Sequence, residues 1–221
     1  MEFLIPLVIL VFSAMLHEVM HGVVADRLGD PTARVMGRLT LNPIPHLDPI
    51  MSILLPALLV LSGSPIIFGA AKPVPVNPIH FRDPKKDMAL TALAGPMTNI
   101  LLALVAGTVF KLGFPGEIII PIIFGGQVFD GALGYLFALA LSLIIYLNLL
   151  LAIINLIPIP PLDGSKVFAS IMPNDLARSY LAVEQFGIFI LFFLLFFPIG
   201  GFSLGQVINN LILFSINLLG I

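Results

Sequence analysis

The stretch FSAMLHEVMHGVVAD, residues 12–26, decides how this chain folds. The run is apolar from Phe3 onward, and residues 3–22 have the roughly 20-residue length that crosses the hydrocarbon core of a bilayer as a helix. Yet the helix carries two histidines and a glutamate. Ionisable side chains at lipid depth are expensive, and they mark functional sites. His17 and His21 are four residues apart, so both imidazoles share one helix face. His17-Glu18-Val19-Met20-His21 is an H-E-x-x-H, in which two imidazoles can hold one metal ion and Glu18 can act as general base toward water. The structural alternative is two histidines that hydrogen-bond neighbouring helices.

The rest of the chain fits lipid. Of 221 residues, 59% are hydrophobic and 10% charged, against about 25% charged in a soluble domain. The net charge is −2 and no basic block occurs, which argues against nucleic acid as a partner. There is no cysteine, so disulfides, thiolate zinc sites and cysteine nucleophiles are excluded together. Residues 3–22 are too long for the apolar core of a signal peptide and follow Glu2 rather than a basic segment. They are expected to be retained as a helix.

Six apolar segments are legible, at 3–22, 50–69, 88–111, 133–157, 181–199 and 204–220. Between the first two, Val35–Leu41 is rich in β-formers and partly alternates, which predicts a short strand or hairpin. The polar stretch 71–87 has prolines at 73, 75, 78 and 84 and cannot be one long helix. Segment 50–69 contains Pro56 and Gly63-Ser64-Pro65, a turn signal inside an apolar run. If it crosses, the ten basic residues divide four to six between the two sides. If it dips in and returns, nine share one side and only Lys111 lies opposite. A one-sided distribution is what the positive-inside rule requires. The expected fold is therefore an all-α polytopic membrane protein with about five transmembrane helices, one re-entrant segment and a small membrane-associated β-region, its N-terminus outside. It forms a single integral-membrane domain over 1–221, with a core at about 3–170 and accessory helices over 181–220.

Catalytic zinc takes three protein ligands and keeps one position open. Candidates for the third are His46, Asp48, His80, Asp130 and Asp163. Asp163 follows the 133–157 segment in NLIPIPPLDGSK. There the prolines end the helix and are expected to hold the chain extended, and Gly164 allows a turn. An Asp here could equally cap a helix. As a ligand it could meet His17 and His21 only if its helix runs parallel to the first, which needs an odd number of crossings between them. The nine-to-one topology supplies one.

Three ordered motifs, HEVMH at 17–21, AGPMTN at 94–99 and NLIPIPPLDG at 155–164, resemble the site-2 protease family of intramembrane zinc metalloproteases. The resemblance covers 17–170 and is to a compact member without a PDZ or CBS domain. It implies one catalytic Zn2+ held by His17, His21 and Asp163, with Glu18 as the catalytic glutamate. It further implies that Asn99 helps to position substrate or the developing oxyanion. Asn155 stands near enough to the site to join it in that role, while Asn148, two turns earlier on the same face, reads as hydrogen-bonding glue. The partners implied are a transmembrane substrate protein or peptide and the lipid bilayer. The location implied is a prokaryotic plasma membrane, with the site toward the cytoplasm. The alternative function is a non-enzymatic membrane metal-binding protein or metal-ion transporter. That alternative has no use for Glu18 and would be expected to show paired broken-helix repeats.

Overall fold

The computed structural model describes residues 4–54, 58, 71–116, 118–123, 132–201 and 203–221. The first helix, α1 (Leu4–Arg27), is an uninterrupted run of helix formers after Pro6 in its first turn, where proline is tolerated. It ends at Gly29, whose φ of 113° lets Asp30 N–H return to the Ala25 carbonyl at 2.9 Å. A single turn, α2 (Thr32–Val35), follows.

The strand expected over Val35–Leu41 is absent. Val35 ends α2, Gly37 adopts φ 65°, and Arg38 N–H closes back on the Ala33 carbonyl at 2.8 Å. Thr40 and Asn42 then form side-chain turns to the N–H groups of Asn42 and Ile44, both at 3.1 Å. The N–H groups of Val35, Met36, Gly37 and Arg38 are thus spent in local turns. Segment 50–69, expected to be re-entrant, lies largely outside the described residues.

The longest helix, α3 (Pro84–Gly113), starts at Asp83, whose carboxylate accepts from Lys86 N–H at 3.2 Å, with Pro84 in its first turn. Pro96 lies inside the helix without ending it. Then come α4 (Ile119–Ile123), α5 (Ala132–Leu156), α6 (Asp163–Ser170), α7 (Asn174–Leu181), α8 (Glu184–Phe196) and α9 (Leu204–Leu219). Helices α1, α3 and α5 are long and apolar enough to cross a bilayer. The apolar segment expected at 181–199 contains α8, 13 residues long, which follows α7 across a bend of 65°. At 16 residues, α9 extends about 24 Å, shorter than the roughly 30 Å of hydrocarbon. The protein is thus an all-helical integral membrane protein among its described residues, with three helices long and apolar enough to span, or four if the bent pair makes one.

Helix α3 is the centre of the bundle and packs on α1, α5 and α6. Its buried Ala92, Gly95, Asn99, Ala103 and Ala106 recur at helical spacing, and small side chains let apolar helices approach closely. Side-chain partners fix the directions. Along α1, Ser13 meets Asn148 of α5, His17 meets Asn99 of α3, and His21 meets Thr91 of α3. Helix α3 therefore runs against α1. Asp163, beyond the end of α5, meets His17 and His21, so α5 runs with α1. Away from these polar contacts, Phe110, Ile119, Ile122, Ile145 and Ile212 from α3, α4, α5 and α9 form the apolar core.

Candidate metal centre

The helix period brings His17 and His21 to one face of α1, and their Nε2 atoms lie 3.0 Å apart. Asp163 Oδ2 stands 3.1 Å from each. All three side chains are buried, at 6%, 8% and 7% exposure. Asp163 reaches them because α5 stops at Leu156 and the chain folds through a compact turn, with Leu162 N–H on the Ile159 carbonyl at 2.9 Å. The proline segment is thus turned, not extended as expected. Gly164 then packs against the Leu156 and Ile157 carbonyls, where a Cβ would have no room. Asp163 is the first residue of α6 and its cap is Leu162, so the carboxylate does not cap its own helix. Its other oxygen accepts from Lys166 Nζ at 3.3 Å. The turn is braced from outside by Tyr180, whose hydroxyl donates to the Pro158 carbonyl at 2.6 Å, and by Gly187, which abuts Pro160.

Two imidazoles and a carboxylate are a donor set of catalytic zinc, and the cradle fits the ion. A Cβ on Gly95 of α3 would stand 2.5 Å from both Nε2 atoms, so only glycine leaves space beside the three ligand atoms. Donors about 2.0–2.2 Å from a tetrahedral zinc stand roughly 3.3–3.5 Å apart, so an opening of a few tenths of an ångström would admit it. Each imidazole is steadied at its far nitrogen. His21 Nδ1 lies 2.7 Å from the Thr91 carbonyl, and His17 Nδ1 lies 2.5 Å from Asn99 Oδ1.

Glu18, half-buried, faces an extended segment, residues 71–77. Val74 N–H donates to Glu18 Oε2 at 2.8 Å. Arg38 holds this segment through the Lys72 carbonyl at 2.8 Å, Lys72 N–H reaches the His46 carbonyl at 2.8 Å, and Asn77 N–H donates to Asp30 Oδ2 at 2.6 Å. Asp30 is fully buried and also accepts from Thr32 and His80. Burial alone would raise its carboxyl; the bonds from Thr32, Asn77 and His80 outweigh this and hold it below the usual carboxylate range.

The other sequence candidates fall elsewhere. His46 bonds the Thr40 carbonyl at 3.0 Å, His80 pairs with Asp30, and Asp48 accepts from Ile50 N–H at 2.9 Å. Asp130 lies outside the described residues. Asn155 is half-buried and bonds the Leu151 carbonyl of its own helix at 2.9 Å. Sequence reasoning did not find Val74 or the Thr91 carbonyl, which act through backbone atoms and leave no trace in residue type. Gly95 stands within AGPMTN, but the motif alone does not say what its missing Cβ makes room for.

A bundle of apolar helices closing on a buried His-His-Asp triangle, with a glutamate beside the first histidine, defines a membrane metalloprotease. The sequence pattern of peptidase family M50 matches residues 3–198. The chain is 36% identical over 203 residues to YwhC of Bacillus subtilis (strain 168), named as a zinc metalloprotease, covering 90% of this chain and 84% of that one. Rip2 of Mycobacterium tuberculosis (strain H37Rv), named likewise, is 30% identical over 196 residues, covering 88% and 68%. MJ0611 of Methanocaldococcus jannaschii, also so named, is 32% identical over 104 residues, covering 46% and 45%. No solved structure matches. The chain belongs to peptidase family M50, the site-2 protease family, and is a zinc metalloprotease.

Proposed function

We propose that this protease hydrolyses peptide bonds within or next to transmembrane segments of other membrane proteins, near the cytoplasmic face of a prokaryotic plasma membrane. The observation that carries the reading is the burial of the His17–His21–Asp163 triangle between α1, α3 and the end of α5, all spans or the end of one. The nine basic residues other than Lys111 fall in segments at the triangle's end of the bundle, which supports a cytoplasmic orientation.

In this reading His17, His21 and Asp163 hold the zinc. When bound, the ion supplies Lewis-acid polarisation of the scissile carbonyl and acidifies water. Glu18 takes a proton from the attacking water as its oxygen joins the carbonyl carbon. It delivers that proton to the amine nitrogen as the C–N bond breaks. Val74 N–H occupies Oε2 and leaves Oε1 to carry the proton. Asn155, which among the described residues donates to the Leu151 carbonyl of its own helix, has amide capacity left for substrate. A substrate helix hides its carbonyls in its own hydrogen bonds and must unwind before it can react. The metal-transporter alternative gains no support from the family or from the names of its relatives.

The test uses purified protein in lipid nanodiscs with a panel of single-span peptides. Chelator-sensitive cleavage mapped inside or beside the apolar segment is expected, with Gly- or Pro-containing spans cut faster than poly-Leu spans. Cleavage confined to soluble peptides would overturn the intramembrane reading.

A further inference from the structure

Each far nitrogen of the two imidazoles meets an oxygen, and for His21 the consequence is immediate. The Thr91 carbonyl can only accept, so His21 carries its proton on Nδ1 and turns an Nε2 lone pair inward. His17 meets a side-chain amide, which could present either its oxygen or its nitrogen. A buried chain of three residues removes the ambiguity.

The chain begins at a backbone carbonyl. Asn148 lies 2.8 Å from the Ile144 carbonyl, which only accepts, so the atom facing it is Nδ2. The second hydrogen of that nitrogen goes to Ser13 Oγ at 2.9 Å. Asn148 Oδ1 is thereby left facing Asn99 and accepts from Asn99 Nδ2 at 2.7 Å. Asn99 must then present Oδ1 to His17, which has to donate from Nδ1. Asn99 and Asn148 are both 0% exposed and Ser13 is 5% exposed, so no solvent competes for these bonds. Reversing Asn99 would set its Oδ1 against Asn148 Oδ1, and reversing Asn148 would set its Oδ1 against the Ile144 carbonyl, in each case with the unpaired groups buried.

We propose that Asn99 and Asn148 are positioning residues that fix the tautomer of His17, the Ile144 carbonyl setting the polarity of the chain so that His17 Nε2 is always the metal-facing lone pair. Asn148 touches neither ligand nor substrate and acts through Asn99. The inference rests on the reading of His17, His21 and Asp163 as a zinc site, and its test separates the two.

Zinc-free protein labelled with 15N-histidine, with His17 assigned by difference from His17→Ala, reports the tautomer directly and without metal. The expected state is a proton on Nδ1 at both His17 and His21, with or without a further proton shared between Nε2 and Asp163 in the zinc-free site; a His17 protonated on Nε2 alone overturns the proposal. Zinc titration of folded Asn148→Leu should show affinity reduced roughly 10- to 100-fold, the range typical of lost outer-shell bonds to metal-ligating histidines, with His17 shifted toward Nε2–H. Asn99→Leu should behave alike, in affinity and in tautomer. Asn148→Leu with unchanged affinity and an unchanged Nδ1–H His17 overturns the proposal, even if it is less stable. If the Asp163→Ala variant retains its zinc, the site reading fails while the tautomer measurement on the unaltered protein still judges the relay.

Discussion

Glu18→Gln exchanges the proton acceptor for an amide and leaves both imidazoles and Asp163 in place. Zinc content should stay at one per chain while cleavage falls by roughly 10²–10⁴-fold, the usual worth of one general acid–base group. Metal analysis and turnover on the same preparation check it. Gly95→Ala should do the reverse. Its methyl would lie 2.5 Å from both Nε2 atoms, so zinc retention should collapse while circular dichroism still reports the helices. The candidate ligands His17 and His21 were legible because the H-E-x-x-H spacing is a statement about helix geometry, and Asp163 through the resemblance of its motif at 155–164 and the requirement for parallel helices. Asn99 was legible through the AGPMTN motif as an expected substrate-positioning or oxyanion residue, but not as a partner of His17. Its bonds depend on which faces of α1, α3 and α5 meet, and that is a property of the bundle.

At the level of elements, the 71–80 segment is held by buried polar bonds and not by apolar packing alone. Asp30→Asn should lower stability by about 1.5–3 kcal/mol, the range for hydrogen bonds to a charged group, read as a drop in melting temperature in detergent. Because the folded Asp30 titrates below its ordinary value of about 3.9, its contribution is complete above that pH. It fades only as pH falls through the depressed folded value, so the gap between variant and parent should be constant from neutral to mildly acidic pH and close below it. Arg38→Ala, which frees the Lys72 and Pro73 carbonyls, should reduce kcat/KM with zinc content unchanged. The sequence misjudged the neighbouring 35–41 for a physical reason. Val, Leu and Thr favour strands only when a partner strand supplies the ladder, and here Gly37 turns the chain back on α2 first.

Across the whole molecule, α1 and α5 run together with α3 against them, as the odd-crossing argument from Asp163 requires. Since the chain has no cysteine, introduced thiols report sidedness cleanly. Positions 38 and 85 should label from one face of sealed vesicles and position 113 from the other. Labelling of 38 and 85 from opposite faces would refute the arrangement. Hydropathy found the apolar run at 181–199 but not its 65° bend. That bend occurs at Ala182–Val183, residues with no turn signal, where Tyr180 and Gly187 seat the pair against the Pro158–Pro161 turn. Gly95 has a mechanical meaning as well. A slip of α3 by one residue, about 1.5 Å of rise and 100° of rotation, would bring Ala94 or Pro96 to the imidazoles in place of bare backbone. The zinc then works as a feeler gauge between helices: it enters only at one register, so metal occupancy measures how α3 is seated against α1.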